Sequence, residues 1–166
     1  MNIVFENMCE KHRTGIMKIF NYYVENGTAA FPAKALPEQF YGMLLKKSEG
    51  YPAYALVDTD KDTVIGFCQL SPYHPFSSFM KTACLTYFID PEYTGQGLGS
   101  DCFARLARDA RQMQIEHLIA EVSSENEGSI SFHKKHGFAA VGELPNIGEK
   151  LGRRFGIIYM QKDISE

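Results

Sequence analysis

Asp90-Pro91-Glu92-Tyr93-Thr94-Gly95-Gln96-Gly97-Leu98-Gly99-Ser100 joins two different patterns. Before it lies a β-rich run, Thr82 to Ile89. After it, Leu98, Cys102, Leu106, Ala110 and Met113 fall on one face of a long helix. A strand, a glycine turn and a helix in that order make an anion site. The first N–H groups of a helix have no partner inside it, and the helix dipole turns that end toward negative charge. Glycines clear side chains from the approach, so a diphosphate can rest on bare amides. The loop is not a Walker loop, because the Gly-Lys-Ser/Thr run is missing. Nor does it fit Gly-x-Gly-x-x-Gly: counted from Gly95 the third glycine position is Ser100, and from Gly97 it is Cys102. Glu116 stands where a ribose-binding acid would, but the order of elements around it disagrees with a dinucleotide fold.

Upstream, Ile3 to Met8 reads as an opening strand. Ile16, Phe20 and Tyr23, widened by Ile19 and Val24, form the apolar stripe of a first helix. Pro37, with Phe40, Met43, Leu44 and Leu45 behind it, starts a second. Tyr54–Val57 and Thr63–Leu70 flank a short polar turn and predict a hairpin. Ser71 to Phe79, broken by Pro72 and Pro75, reads as a loop. Downstream, His117–Val122 is a strand, and Ser129–His136 is a short helix closed by Gly137. Phe138–Val141 and Phe155–Gln161 are final strands separated by the Gly/Pro-rich segment Gly142–Gly152. The order is β-α-α-β-β-β-α-β-α-β-β. Three strands in succession argue against a doubly wound parallel sheet. The expected class is α+β (a mixed α/β arrangement) with a mostly antiparallel sheet of about seven strands and about four helices. No repeat or linker divides the chain, so residues 1–166 are expected to form a single domain.

Composition narrows the function. The 166 residues suffice for one core, and 45% hydrophobic with 22% charged residues excludes a disordered or fibrous chain. Seventeen Lys and Arg stand against 20 Asp and Glu, a net charge of −3, which argues against a nucleic-acid partner. No apolar run is long enough to span a membrane, and Met1–Glu6 lacks a signal-peptide start, so a cytoplasmic protein is expected. Cys9, Cys68, Cys84 and Cys102 form no Cys-x-x-Cys pair, and the five histidines form no His-Glu-x-x-His. Reduced, mostly buried thiols and no metal are expected.

Phe88 to Ser100 resembles the pyrophosphate loop of the GNAT superfamily of acyl-CoA-dependent N-acetyltransferases. There a Val-x-Pro strand end is followed by Arg/Gln-x-x-Gly-x-Gly/Ala; here Thr94 stands at the Arg/Gln position. Asn126-Glu127-Gly128-Ser129-Ile130-Ser131-Phe132-His133-Lys134-Lys135-His136-Gly137-Phe138 resembles the second superfamily motif, Asn-x-x-(Ser/Ala)-x-x-(Phe/Leu)-x-x-x-x-Gly-Phe. Asn21–Phe31, Tyr73-His74-Pro75-Phe76 and Pro145–Arg153 are similar to segments of its phosphinothricin and methionine-sulfoximine acetyltransferase branch.

The resemblance implies acetyl-CoA as acyl donor and direct transfer to the primary amine of a small molecule, an amino acid or analogue. It implies a coenzyme diphosphate on the amides of Gly95, Gln96, Gly97, Leu98, Gly99 and Ser100, with Asn126 and Ser129 near the pantetheine arm. The backbone of Phe88 and Ile89 would polarise the thioester, and His133 would protonate the leaving thiolate. Phe31, Tyr73, Phe76, Lys81 and Cys84 are the expected acceptor pocket. The branch carries a Glu where this chain has Cys84, and an Arg where it has Met80; Lys81 is the candidate substitute cation. These departures keep an acyl-CoA-binding sensor open as an alternative, and a protein N-terminal or lysine acetyltransferase is a third. Relatives in this branch are commonly dimers, which implies a homodimer.

Overall fold

The structure, a computed structural model, describes residues 1–165. The elements in chain order are β1 (Ile3–Asn7), α1 (Arg13–Glu25), α2 (Tyr41–Lys47), β2 (Ala53–Asp58), β3 (Thr63–Pro72) and β4 (Thr82–Ile89). They continue with α3 (Leu98–Gln112), β5 (His117–Ser123), α4 (Glu127–Lys135), β6 (Ala139–Lys150) and β7 (Arg153–Asp163). One seven-stranded sheet runs β1-β2-β3-β4-β5-β7-β6. Every neighbouring pair is antiparallel except β4 and β5, which α3 connects in parallel. A parallel pair needs a crossover, and the glycine turn with α3 supplies it.

Strand alternation sends one set of side chains to each face. Cys102, Leu106 and Ala110 of α3 pack on Leu56, Ile65, Leu70, Ala83, Leu118 and Met160. On the other face Ile16, Met17, Phe20 and Val24 of α1 pack on Ala55, Val57 and Phe67. The two faces separate α3 and α4 from α1 and α2, which decides what lines the site.

The β4–β5 ladder is short. It pairs Thr82 with His117, Ala83 with Leu118 and Cys84 with Ile119, and then ends. Yet β4 runs on to Ile89, still paired with β3, and β5 to Ser123, still paired with β7. Each strand keeps its outer partner while the inner edges part.

Several expectations need correction. Met113 is 40% exposed, whereas Cys102, Leu106 and Ala110 are fully buried, so the buried stripe of α3 stops a turn early. Gly142–Gly152 is not a loop: β6 runs through it to Lys150, and only Leu151 and Gly152 form the turn. The ladder absorbs the Pro and Gly residues by shifting register between Leu144 and Gly148, where Asn146 takes a positive φ of 60°. Gly148 fits because a Cβ there would meet the Phe155 ring at 2.5 Å. Ser71 and Pro72 belong to β3, and α4 starts at Glu127. Of the cysteines only Cys68 and Cys102 are buried; Cys9 is exposed and Cys84 half-buried.

Leu106→Ala should cost about 2–5 kcal/mol in urea denaturation through lost burial and the cavity left behind. Met113→Ala should stay within about 0.5 kcal/mol. Equal losses would place Met113 back in the core.

Candidate active site

Where β4 and β5 part, a cavity of about 850 Å³ opens. Its wall includes Tyr87, Ala120, Val122, Phe132 and His133 from the α3–α4 side. It also includes Phe31, Tyr73, Lys46, Lys47, Cys84 and Glu121 from the α1–α2 side. A single cavity can touch both faces of a sheet only by passing through it. The split therefore makes a passage rather than a surface groove.

At the α3 mouth stand Thr94 and Gly99. Gly95 and Gly97 hold φ of 75° and 87°, the left-handed region where only glycine is free of strain. A Cβ built on either meets nothing within 4 Å, so the ground before the helix is open. Asp90 accepts from the Glu92 N–H at 2.9 Å and Thr94 Oγ1 donates to the Pro91 carbonyl at 2.9 Å, which shapes the turn. Leu98 turns its side chain into the core and offers the loop only its amide. Ser100 Oγ lies 3.0 Å from His136 Nε2. Exposed glycines at a helix N-terminus, with Gly99 on the cavity wall, leave amides open in the way a diphosphate requires, so the residues present fit that part of a coenzyme.

The ladder also decides which β4 backbone groups face the split. Asp90 N–H donates to the Ile65 carbonyl at 2.8 Å, and Leu70 N–H to the Pro52 carbonyl at 2.9 Å. With the β3–β4 register fixed, antiparallel alternation turns the backbone of Phe88 toward β3, and those of Tyr87 and Ile89 toward the gap. This corrects the expectation for Phe88: the Ile89 amide faces the passage, and Tyr87, not Phe88, is its companion. The Phe88 side chain does line the cavity. Tyr23 on α1 donates its hydroxyl to the Ile89 carbonyl, fixing that strand end.

His133 is 3% exposed, so it is not a surface histidine. Asn126 caps α4, its Oδ1 accepting from the Ser129 N–H at 3.1 Å, and Ser129 then meets His133 one turn on. His133 Nδ1 lies 2.7 Å from the Ser129 carbonyl. A carbonyl only accepts, so Nδ1 carries the hydrogen. In the neutral ring Nε2 is then an acceptor, and its partner is the Tyr87 hydroxyl. Burial holds His133 below the usual imidazole range, opposed by the Ser129 carbonyl, and burial pushes the Tyr87 phenol up. The neutral pair keeps its mobile proton on Tyr87. Sequence reasoning passed over Tyr87. Its signal was the alternation of β4, which puts residue 87 on the α4 side with Ala83 and Leu85.

Of the expected acceptor residues, Phe31, Tyr73 and Cys84 line the passage. Phe76 and Lys81 do not. Phe76 is 68% exposed and stacks on His74; Lys81 is drawn to Glu116 at 2.8 Å. Lys81 therefore does not replace the cation missing at Met80, which is itself 66% exposed. Burial, reinforced by the Glu121 carboxylate, pushes the Cys84 thiol to about 11, so it is no nucleophile at neutral pH. The loop carrying Phe31 is tied on two sides. Buried Lys150 donates to the Ala30 carbonyl at 2.7 Å. Thr28 meets Ser123 at 2.6 Å, beside the Glu125–Arg153 pair. Neither tie was visible in sequence spacing, because 120 residues separate Lys150 from Ala30.

Residues 16–138 match the acetyltransferase (GNAT) family, which is most of the chain. The chain belongs to the GNAT family. It is similar to the L-methionine sulfoximine/L-methionine sulfone acetyltransferase of Pseudomonas aeruginosa, with 28% identity over 153 residues covering 90% of this chain and 88% of the relative. The ribosomal-protein-alanine N-acetyltransferase of Brucella melitensis superposes with a TM-score of 0.86 at 27% identity, covering 96% of this chain and 99% of that one. The phosphinothricin acetyltransferase of Sinorhizobium meliloti in complex with acetyl-CoA shares the fold, with a TM-score of 0.90, 22% identity and coverage of 98% and 89%. This GNAT protein is an acetyl-CoA-dependent N-acetyltransferase. Among the described residues no group of three or more His, Cys, Asp or Glu is placed to hold a metal, and no helix is long and apolar enough to cross a membrane.

The buried imidazole gives a pH prediction. A histidine with a depressed folded pKa is neutral in the native state while the unfolded chain takes up the proton. Stability is then lost as pH falls below about 6.5. The stability difference between wild type and His133→Gln, measured by chemical denaturation, should shrink from about pH 7.5 to about pH 5. A constant difference would show that His133 titrates alike in both states.

Proposed function

We propose that this GNAT enzyme acetylates the primary amine of a free amino acid or amino-acid analogue. The passage through the sheet carries the reading. One mouth opens at Gly99 beside the exposed glycine turn, and the other is flanked by Phe31, Tyr73 and the tied loop. The methionine-sulfoximine and phosphinothricin relatives favour a small acceptor.

Bound acetyl-CoA supplies an activated acetyl group on a thioester whose sulfur departs as a thiolate. The chain's part is to hold and move protons and to fix geometry. The amides of Gly95 to Ser100 take the diphosphate; Gln96 offers its backbone there, and Asn126 and Ser129 stand at the turn beside the passage. The Ile89 amide, aimed into the gap, is the donor for the thioester oxygen. His133 supplies the proton for the sulfur through Tyr87. When the ring is charged, Nε2–H donates to Tyr87 Oη and the phenol O–H turns into the passage. One proton leaves Tyr87 as another arrives from His133. A thiol pKa of ~8.5 against an imidazole below ~6.5 makes the net transfer downhill.

The apolar Val141, Leu144 and Ile147 lie exposed on β6. We infer from them that two copies associate in solution, as an exposed apolar patch favours. A cytoplasmic location, where acetyl-CoA is available, completes the proposal.

A thiol-release assay with acetyl-CoA and a panel of free amino acids, amines and peptides tests it. Turnover on a free amino acid is expected, with a kcat loss of about 10²-fold or more in His133→Phe. Gly97→Val should abolish acetyl-CoA binding while the fold survives, because φ of 87° strains any β-branched residue. Turnover confined to peptide N-termini would overturn the small-acceptor reading, and tight binding without turnover would make the chain a sensor. Analytical ultracentrifugation should give a dimer; a monomer at micromolar concentration would remove that part.

A further inference from the structure

An amine acceptor arrives as an ammonium and must lose a proton before it can attack, so the chamber needs a proton acceptor. Among the described residues the cavity wall contains a single Asp or Glu, which is Glu121. Leu118, Ala120 and Val122 of β5 pack into the α3 core, so alternation turns Glu121 to the opposite face. That is the face Cys84 presents, since Cys84 pairs with Ile119, two residues before Glu121 on the same side. Glu121 makes no ion pair or side-chain hydrogen bond among the described residues. The sheet thus places a carboxylate in the acceptor chamber, on the strand next to Cys84.

A second observation points to the same ligand chemistry. Gln69 on β3, opposite Thr86 of β4, is 1% exposed and lines the cavity. Its Nε2 donates to the Leu44 carbonyl at 3.4 Å, which settles which end is nitrogen. Its Oε1 is buried with no partner among the described residues. An orphaned buried acceptor is destabilising unless a donor arrives. A carboxylate and an unpaired amide oxygen on one chamber wall suit a group rich in N–H donors and positive charge.

We propose that Glu121 is a catalytic residue of this acetyltransferase, holding the acceptor's ammonium with Gln69 and taking its proton. This rests on the small-amine reading above. One ammonium proton passes to the Glu121 carboxylate. The freed lone pair forms the N–C bond at the thioester carbonyl. The C–S bond breaks, and its electron pair leaves on sulfur, which takes a proton from Tyr87 and His133. Nitrogen releases its second proton as the amide forms, which recharges that pair through water, and Glu121 returns its own to water.

The experiment compares wild type, Glu121→Gln and the double variant Glu121→Gln/Cys84→Glu, using acetyl-CoA and the best free amino acid from the panel. Glu121→Gln should lower kcat/KM by about 10²-fold and leave acetyl-CoA affinity by calorimetry unchanged. Restoring a carboxylate at residue 84 should recover at least about tenfold. Activity of Glu121→Gln within about threefold of wild type would overturn the assignment. So would a loss matched by lost acetyl-CoA binding, or a loss the second carboxylate does not relieve. Wild type inactive on every free amine would instead end the small-amine reading, so the two failures are distinct.

Discussion

Everything at the site follows from the β4–β5 ladder stopping at Cys84 and Ile119. Had the two strands stayed paired to their ends, the amides of Tyr87 and Ile89 would be spent on β5 and the sheet would be continuous. The parting is stable because neither strand loses its outer partner, and because packed helices brace both faces. The exposed backbone is thus a consequence of where the β4–β5 ladder ends.

The passage separates two kinds of chemistry. On the α3–α4 side the groups are main-chain amides and a buried Tyr–His pair, all held by local ties such as the Asn126 cap and the Ser129 carbonyl. On the α1–α2 side they are long side chains from four elements, Lys46 and Lys47, Gln69, Cys84 and Glu121. The first set fits any acyl-CoA. The second set includes the one carboxylate that the described residues bring to the cavity, Glu121.

How much of this was legible depended on whether the information was local. The glycine turn, α3, the Asn126–Phe138 segment and the succession of elements along the chain were readable, because each rests on spacing within a dozen residues. Met113 was misplaced because periodicity gives the face of a helix but not where its neighbour ends. The strand starting at Phe138 was ended at Val141 because Pro145 and the glycines mark turns, and a bulged ladder uses the same residues. Lys81 and Phe76 fit the pattern of a pocket yet stand outside it, since Glu116 and His74 hold them elsewhere. Glu121 and Gln69 carried no motif. Their meaning arises only from the strands beside them, a relation that sequence spacing does not encode.

At the turn before α3 the Thr94 hydroxyl is spent on the Pro91 carbonyl and the Ser100 hydroxyl meets His136, so the groups the turn leaves open are peptide amides. Peptide groups are common to every residue type. Drift at Gln96 or Ser100 leaves the donors in place, and only a change in the path of the chain removes them. In the proposed reading the coenzyme half is therefore insulated from most point mutations, free to stay constant while the opposite wall is rebuilt for new acceptors.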